Sequence, residues 1–204
     1  MDTINGFLAV AYQHPFLLIA LLAIPISTIT ALLAGEIERK TIALLLSRPI
    51  SRIGIVVSAA ATSALWSALA ITASTAGTVI AANLAGQAEK LNMAAIQSIG
   101  ANLFALGLAV AGICLFFSAC TNERSDATGW TVTVILFMYV WNFLSQMWPV
   151  ARPYGGISVF HFFSPAQVML GTANLSVNHA VLGVVACVGL IMGCLVYSTR
   201  EFRI

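Results

Sequence analysis

Apolar residues run almost unbroken over five stretches of the chain: about Pro15 to Ala34, Ile53 to Leu84, Ala101 to Ala119, Gly129 to Trp148 and Ala180 to Tyr197. A membrane-spanning helix needs about 20 mostly apolar residues, and all five qualify. Pro15 suits the first turn of the first. The second is too long: 32 residues as a helix reach about 48 Å, against a hydrocarbon core of about 30 Å. Its centre, "SAAATSALWSALAITASTAGTVIAA", is rich in Ala, Ser, Thr and Gly. Small residues let helices approach closely in lipid, so this span is expected to be buried in protein contacts. The fifth carries Gly189 and Gly193 in a GxxxG spacing, a weaker form of the same signal. The pattern predicts an all-α polytopic transmembrane bundle, one transmembrane domain over residues 1–204.

Polar residues concentrate in "GEIERKTIALLLSRPISR", residues 35–52, between the first two spans. As a helix over 36–48, Glu36, Arg39, Lys40, Ala43 and Ser47 share one face at 100° per residue. Ile37, Ile42, Leu44, Leu45 and Leu46 spread over the other. Glu36 and Lys40 stand at i and i+4 in the favourable order. Pro49 ends the helix, because the residue before a proline is pushed towards extended geometry. A short amphipathic helix wedged between two spans is expected. A loop that only sets topology needs Lys and Arg, not Glu, and needs no apolar face. The two glutamates and the apolar face point instead to docking of a cytoplasmic partner.

Composition agrees with a lipid environment. The chain is 60% hydrophobic and 8% charged, with a mean hydropathy of +0.96. Soluble domains carry about 25% charged residues. A net charge of +2 gives no hint of nucleic acid. Lys and Arg are uneven across the loops. Arg39, Lys40, Arg48, Arg52, Arg124, Arg200 and Arg203 fall on one side, and Lys90 and Arg152 on the other. The positive-inside rule then puts the C-terminus in the cytoplasm and the N-terminus outside, in a plasma or inner membrane. Residues 1–13 have no basic region and no clear cleavage site, so no removable signal peptide is expected.

The stretch at 35–52 resembles the segment that marks permeases of the type-2 ABC transporter family, E-x-E-R-x-T-hydrophobic-LLLS-x-P-x-S-R. "SVFHFFSPAQVMLG" (158–171) is similar to that family's outer segment before the last helix, and "STREFRI" to its basic tail. The first match is fairly specific and the other two are loose. Together they cover about Phe16 to Ile204. The resemblance implies a membrane subunit of an ABC exporter that pairs with a separate ATP-binding cassette ATPase. It also implies a dimer, with the same chain or a related permease. A coupling helix then touches the ATPase, and Glu36, Glu38, Arg39, Thr41, Leu45, Ser47, Arg48 and Pro49 match its motif. ATP and magnesium belong to the partner, and no cofactor is expected in this chain. Members commonly have six spans and a cytoplasmic N-terminus, whereas five are found here and the first is the one missing.

Little other chemistry is visible. There is no GxxxxGK[ST] loop, HExxH, GxSxG or paired-carboxylate motif, so no enzyme is expected. The spans hold essentially no ionisable group, which argues against a proton relay or ion pump. Cys114, Cys120, Cys187 and Cys194 form no CxxC pair. His161 with Met147, Met169 and His179 could make a soft-metal site, but interfacial aromatics and packing methionines explain them better. Asn174-Leu175-Ser176 fits a glycosylation triplet that also arises by chance. Trp130 and Trp148 suit an aromatic belt. Residues 148–179 are read either as a re-entrant piece capping a path or as an interfacial loop. The function expected is permease of an ABC exporter. The alternative is a structural or assembly subunit of a larger membrane complex, without transport of its own.

Overall fold

The structure, a computed structural model, describes residues 3–41 and 51–200. In order come α1 (Thr3–Gln13), α2 (Pro15–Leu32), α3 (Ala34–Glu38), α4 (Arg52–Leu84), α5 (Met93–Cys120), α6 (Arg124–Met147), α7 (Pro165–Met169) and α8 (Leu175–Thr199). Short 3₁₀ turns lie at Ala88–Lys90, Arg152–Ile157 and Val159–Phe162, and no strand occurs among the described residues. Five helical runs are long and apolar enough to cross a membrane: Pro15–Glu38, α4, α5, α6 and α8. The third and fifth start earlier than their apolar stretches do. Asn92 and Asn174 set those starts, each accepting a backbone N–H three residues on (3.1 Å from Ala95, 3.3 Å from Val177). Asn174, the residue of the glycosylation triplet, is therefore a helix cap. Ser51 caps α4 in the same way, accepting from Gly54 at 3.0 Å.

The bundle has two ends of different character. The basic end gathers Arg39, Lys40, Arg52, Arg124 and Arg200, where α3, α5 and α8 finish and α4 and α6 begin. The capped end carries α1, the turn at 88–90, the 3₁₀ turns at 152–162 and α7. Here α1 is tied down by Asn5, whose amide donates to the Lys90 carbonyl (3.0 Å) and accepts from the Asn92 N–H (3.3 Å). Tyr12 adds a hydroxyl contact to Thr78 at 2.9 Å.

The expectation for the second span is corrected. The central helix is α5, with 61% of its apolar window buried against 28% for α4. On α4, Ala73 and Gly77 are exposed, and a Cβ on Gly77 would meet nothing within 4 Å. The buried small residues of its first half, Ala59, Ser63 and Ser67, form one stripe four residues apart, and the small residues outside that stripe face outward in large part. The tight crossing is between α5 and α8, the most extensive helix pair among the described residues. A Cβ on Gly189 would lie 2.3 Å from the Gly112 carbonyl carbon, and one on Gly112 would lie 2.8 Å from the Ala186 oxygen. A Cβ on Gly193 would lie 3.3 Å from Leu115. The GxxxG spacing of the last span thus marks a close backbone approach between α8 and α5.

Candidate functional site

The charged stretch is reached at the basic end, and it departs from the expected helix. Helix α3 stops at Glu38, and Lys40 has φ +58°. The Thr41 N–H donates to the Glu36 carbonyl at 3.1 Å, and the Lys40 N–H to the Ile37 carbonyl at 3.0 Å. Those two bonds around a left-handed residue make a Schellman motif, a helix stop. A continuous helix over 36–48 is therefore interrupted at Lys40, because its carbonyls are already consumed. Glu36 is half-buried and its carboxylate accepts from the Thr41 hydroxyl, which reinforces the same stop. Of the eight motif residues, Leu45, Ser47, Arg48 and Pro49 lie outside the described residues, as does most of the expected helix.

Glu38 does not merely decorate the surface. Its carboxylate accepts the backbone N–H of Arg124 at 2.9 Å. Arg124 is the first residue of α6, whose own N-cap, Glu123, makes no side-chain cap. Glu38 thus supplies from another helix the acceptor that α6 lacks. A carboxylate also suits the positive end of the α6 dipole. Arg39 and Lys40 are exposed beside it. An open groove of about 750 Å³ adjoins the contact, lined by Glu38, Arg124, Ser125, Thr128, Gly129 and Val132.

Two arginines fasten the other helix ends. Arg52 opens α4 and donates to the carbonyls of Arg200 (2.6 Å) and Ser198 (3.2 Å), at the end of α8. Arg200 in turn donates to the carbonyls of Ala119 (2.6 Å) and Thr121 (2.7 Å) and to the Asn122 side chain, at the end of α5. The last carbonyls of a helix have no partner of their own and carry its negative partial charge. The two guanidinium groups answer both needs, and they bind α4, α8 and α5 together at this end. In the sequence both arginines count towards topology and towards the family resemblance. Charge alone carries no sign of which carbonyls a guanidinium will reach.

At the capped end, the stretch from Arg152 to Phe163 folds back into the bundle. The Ser158 hydroxyl donates to the Met138 carbonyl at 2.7 Å, and Trp141 Nε1 to the Tyr154 carbonyl at 3.0 Å. On the opposite side, Asn102 Nδ2 donates to the Phe162 carbonyl at 3.0 Å. Met138 and Asn102 each lie nine residues from the capped end of their helix, about 14 Å inward at 1.5 Å per residue. Val159, Phe160 and Phe163 are buried there. Of the two readings of residues 148–179, the re-entrant one matches this geometry, because irregular backbone at that depth must be covered by protein. Beside it is a small cavity of about 50 Å³, lined by Gln13, Tyr139, Asn142, Gln146, Phe160 and Phe163 among others. The buried Asn142 Oδ1 has no hydrogen-bond partner among the described residues. The space has room for a few waters, which would supply one.

His161 packs on Gly155 and edge-on against Phe162, with ring centroids 5.3 Å apart. Among the described residues, no three His, Cys, Asp or Glu side chains are placed to hold one metal ion.

Residues 10–201 match the family model described as ABC-2 family transporter protein. No curated protein and no solved structure matches the chain.

Proposed function

We propose a reading that proceeds from one premise: the chain belongs to the ABC-2 transporter family and is a membrane component of an ABC transporter. In this reading ATP is hydrolysed by a separate cassette subunit, and the permease chains work as a pair. The basic end faces the cytoplasm and receives the ATPase at the motif of residues 36–49, through its members other than Glu38, whose carboxylate is engaged with the Arg124 N–H. The match over residues 10–201 carries the reading. Support comes from the basic end, where α3 stops at a fixed corner and leaves Arg39 and Lys40 exposed. Glu36 and Thr41 shape that corner, and Leu45, Ser47, Arg48 and Pro49 continue the motif beyond it. The transported substrate crosses by a path that ends at the capped end, beneath the re-entrant stretch.

The test is capture of the ATPase subunit by the affinity-purified chain, with Arg39→Glu and Lys40→Glu introduced together. Like charges placed across an interface cost several kcal/mol. Capture should fall by about tenfold or more, the equivalent of 1.4 kcal/mol, while the chain still elutes as a folded species in detergent. Capture at the wild-type level would remove this corner from the docking surface.

A further inference from the structure

Three contacts lie along one helix and join the two ends of the molecule. Glu38, at the edge of the charged corner, holds the first N–H of α6 at 2.9 Å. About 14 residues further along, the Met138 carbonyl of the same helix holds Ser158 at 2.7 Å, and Trp141 holds the Tyr154 carbonyl at 3.0 Å. The re-entrant stretch therefore stands with one foot on α6. Its other foot is on α5, through the bond from Asn102 to Phe162 at 3.0 Å. The central helix α5 is in turn bound to α8 and α4 at the basic end by Arg200 and Arg52.

We propose that α6 is a connecting rod, with Glu38 as the positioning residue that fastens it to the charged corner, so that displacement of the corner shifts α6 against α5 and dislodges the re-entrant stretch 152–163. The inference rests on the ABC permease reading, in which a docked ATPase moves the corner. It gives Glu38 a role inside the chain rather than on the partner's surface. The packing allows the motion. Only 22% of the apolar window of α6 is buried, against 61% for α5. The bonds at the two feet of the re-entrant stretch cannot both persist if α6 slides along α5, so a slide would take the stretch from a made to a broken state. A two-state element biased from a distant contact is the physical content of coupling.

The experiment uses the chain purified with its ATPase. The four cysteines are replaced by alanine, and spin labels are placed at Met93→Cys and Met147→Cys, two exposed positions at the capped ends of α5 and α6. Trapping with ATP and vanadate should change the distance between the labels in the wild-type background. Glu38→Gln keeps a side-chain oxygen that accepts the Arg124 N–H and should keep the change. Glu38→Ala should abolish it with ATPase capture unaltered. Arg124→Pro breaks the same contact from the other side, since proline lacks the N–H and is tolerated in a first helical turn. It should also abolish the change, whereas Arg124→Ala should keep it. A change of wild-type size in both Glu38→Ala and Arg124→Pro would overturn the proposal. So would lowered ATPase capture in Glu38→Ala that Glu38→Gln restores, since that marks a docking residue. No change in the wild type refutes the rod while the permease reading stands. No ATPase captured by the wild-type chain takes down both.

Discussion

At the scale of single residues, the corner that ends α3 shows how one side chain departs from its sequence pattern. Glu36 and Lys40 fit an i, i+4 pair on a helix face. Lys40 instead takes φ +58°, and Glu36 turns to the Thr41 hydroxyl. A non-glycine residue in the left-handed region costs about 1–2 kcal/mol, and strain of that kind persists only where its surroundings impose it. Lys40→Gly should therefore raise the thermal unfolding midpoint of the purified chain, by a gain of about 1 kcal/mol. Lys40→Val should lower it, because a β-branched residue is a true outlier there. Equal midpoints for the two variants would mean that the corner is not held in this conformation. The sequence singled out residues 36–41 as part of a charged stretch and shows which of them are charged. It did not show that two of the acids are spent within the chain, because the partners are a hydroxyl five residues on and a backbone N–H 86 residues away.

At the scale of helices, the five spans were legible because length and apolarity alone mark them, and the structure has the same five. Which helix sits in the middle was not legible. Small residues record how closely a neighbour can come, but not whether one is there. The second span has many and leaves Gly77 open, while the last has two in register and uses both against α5. The contrast is testable by bulk. Gly189→Ala puts a methyl where 2.3 Å separates it from backbone that has no flexible end to yield. Overpacking of this kind costs about 1–3 kcal/mol, so the unfolding midpoint should fall clearly. Gly77→Ala should leave the midpoint of the isolated chain unchanged or slightly raised, since alanine is the better helix former. A loss at Gly77 equal to that at Gly189 would place an unseen neighbour on α4, and no loss at Gly189 would refute the crossing.

At the scale of the whole molecule, the two ends differ in chemistry, and the difference sets the orientation proposed for the chain. Of the described cations, Arg39, Lys40, Arg52, Arg124 and Arg200 lie at one end and Lys90 and Arg152 at the other. Arg52 and Arg200 are engaged with helix carbonyls, yet both lie at span ends, where Lys and Arg count towards topology. Lys and Arg counted near the span ends, not net charge, decide which loops stay in the cytoplasm. The basic end should then be cytoplasmic. The probes follow from exposure. Ser125 is exposed at the start of α6, and Ile157 is 60% exposed at the capped end. Ser158, the neighbour of Ile157, is fully buried on Met138 and would report burial instead of sidedness. In a cysteine-free background in intact cells, Ile157→Cys should react with a membrane-impermeant thiol reagent. Ser125→Cys should react only after the membrane is opened. The reverse pattern would invert the chain and detach the charged corner from any cytoplasmic ATPase. Reaction at both sites in intact cells would mean that the chain inserts in both orientations, so that seven cations against two do not decide its topology.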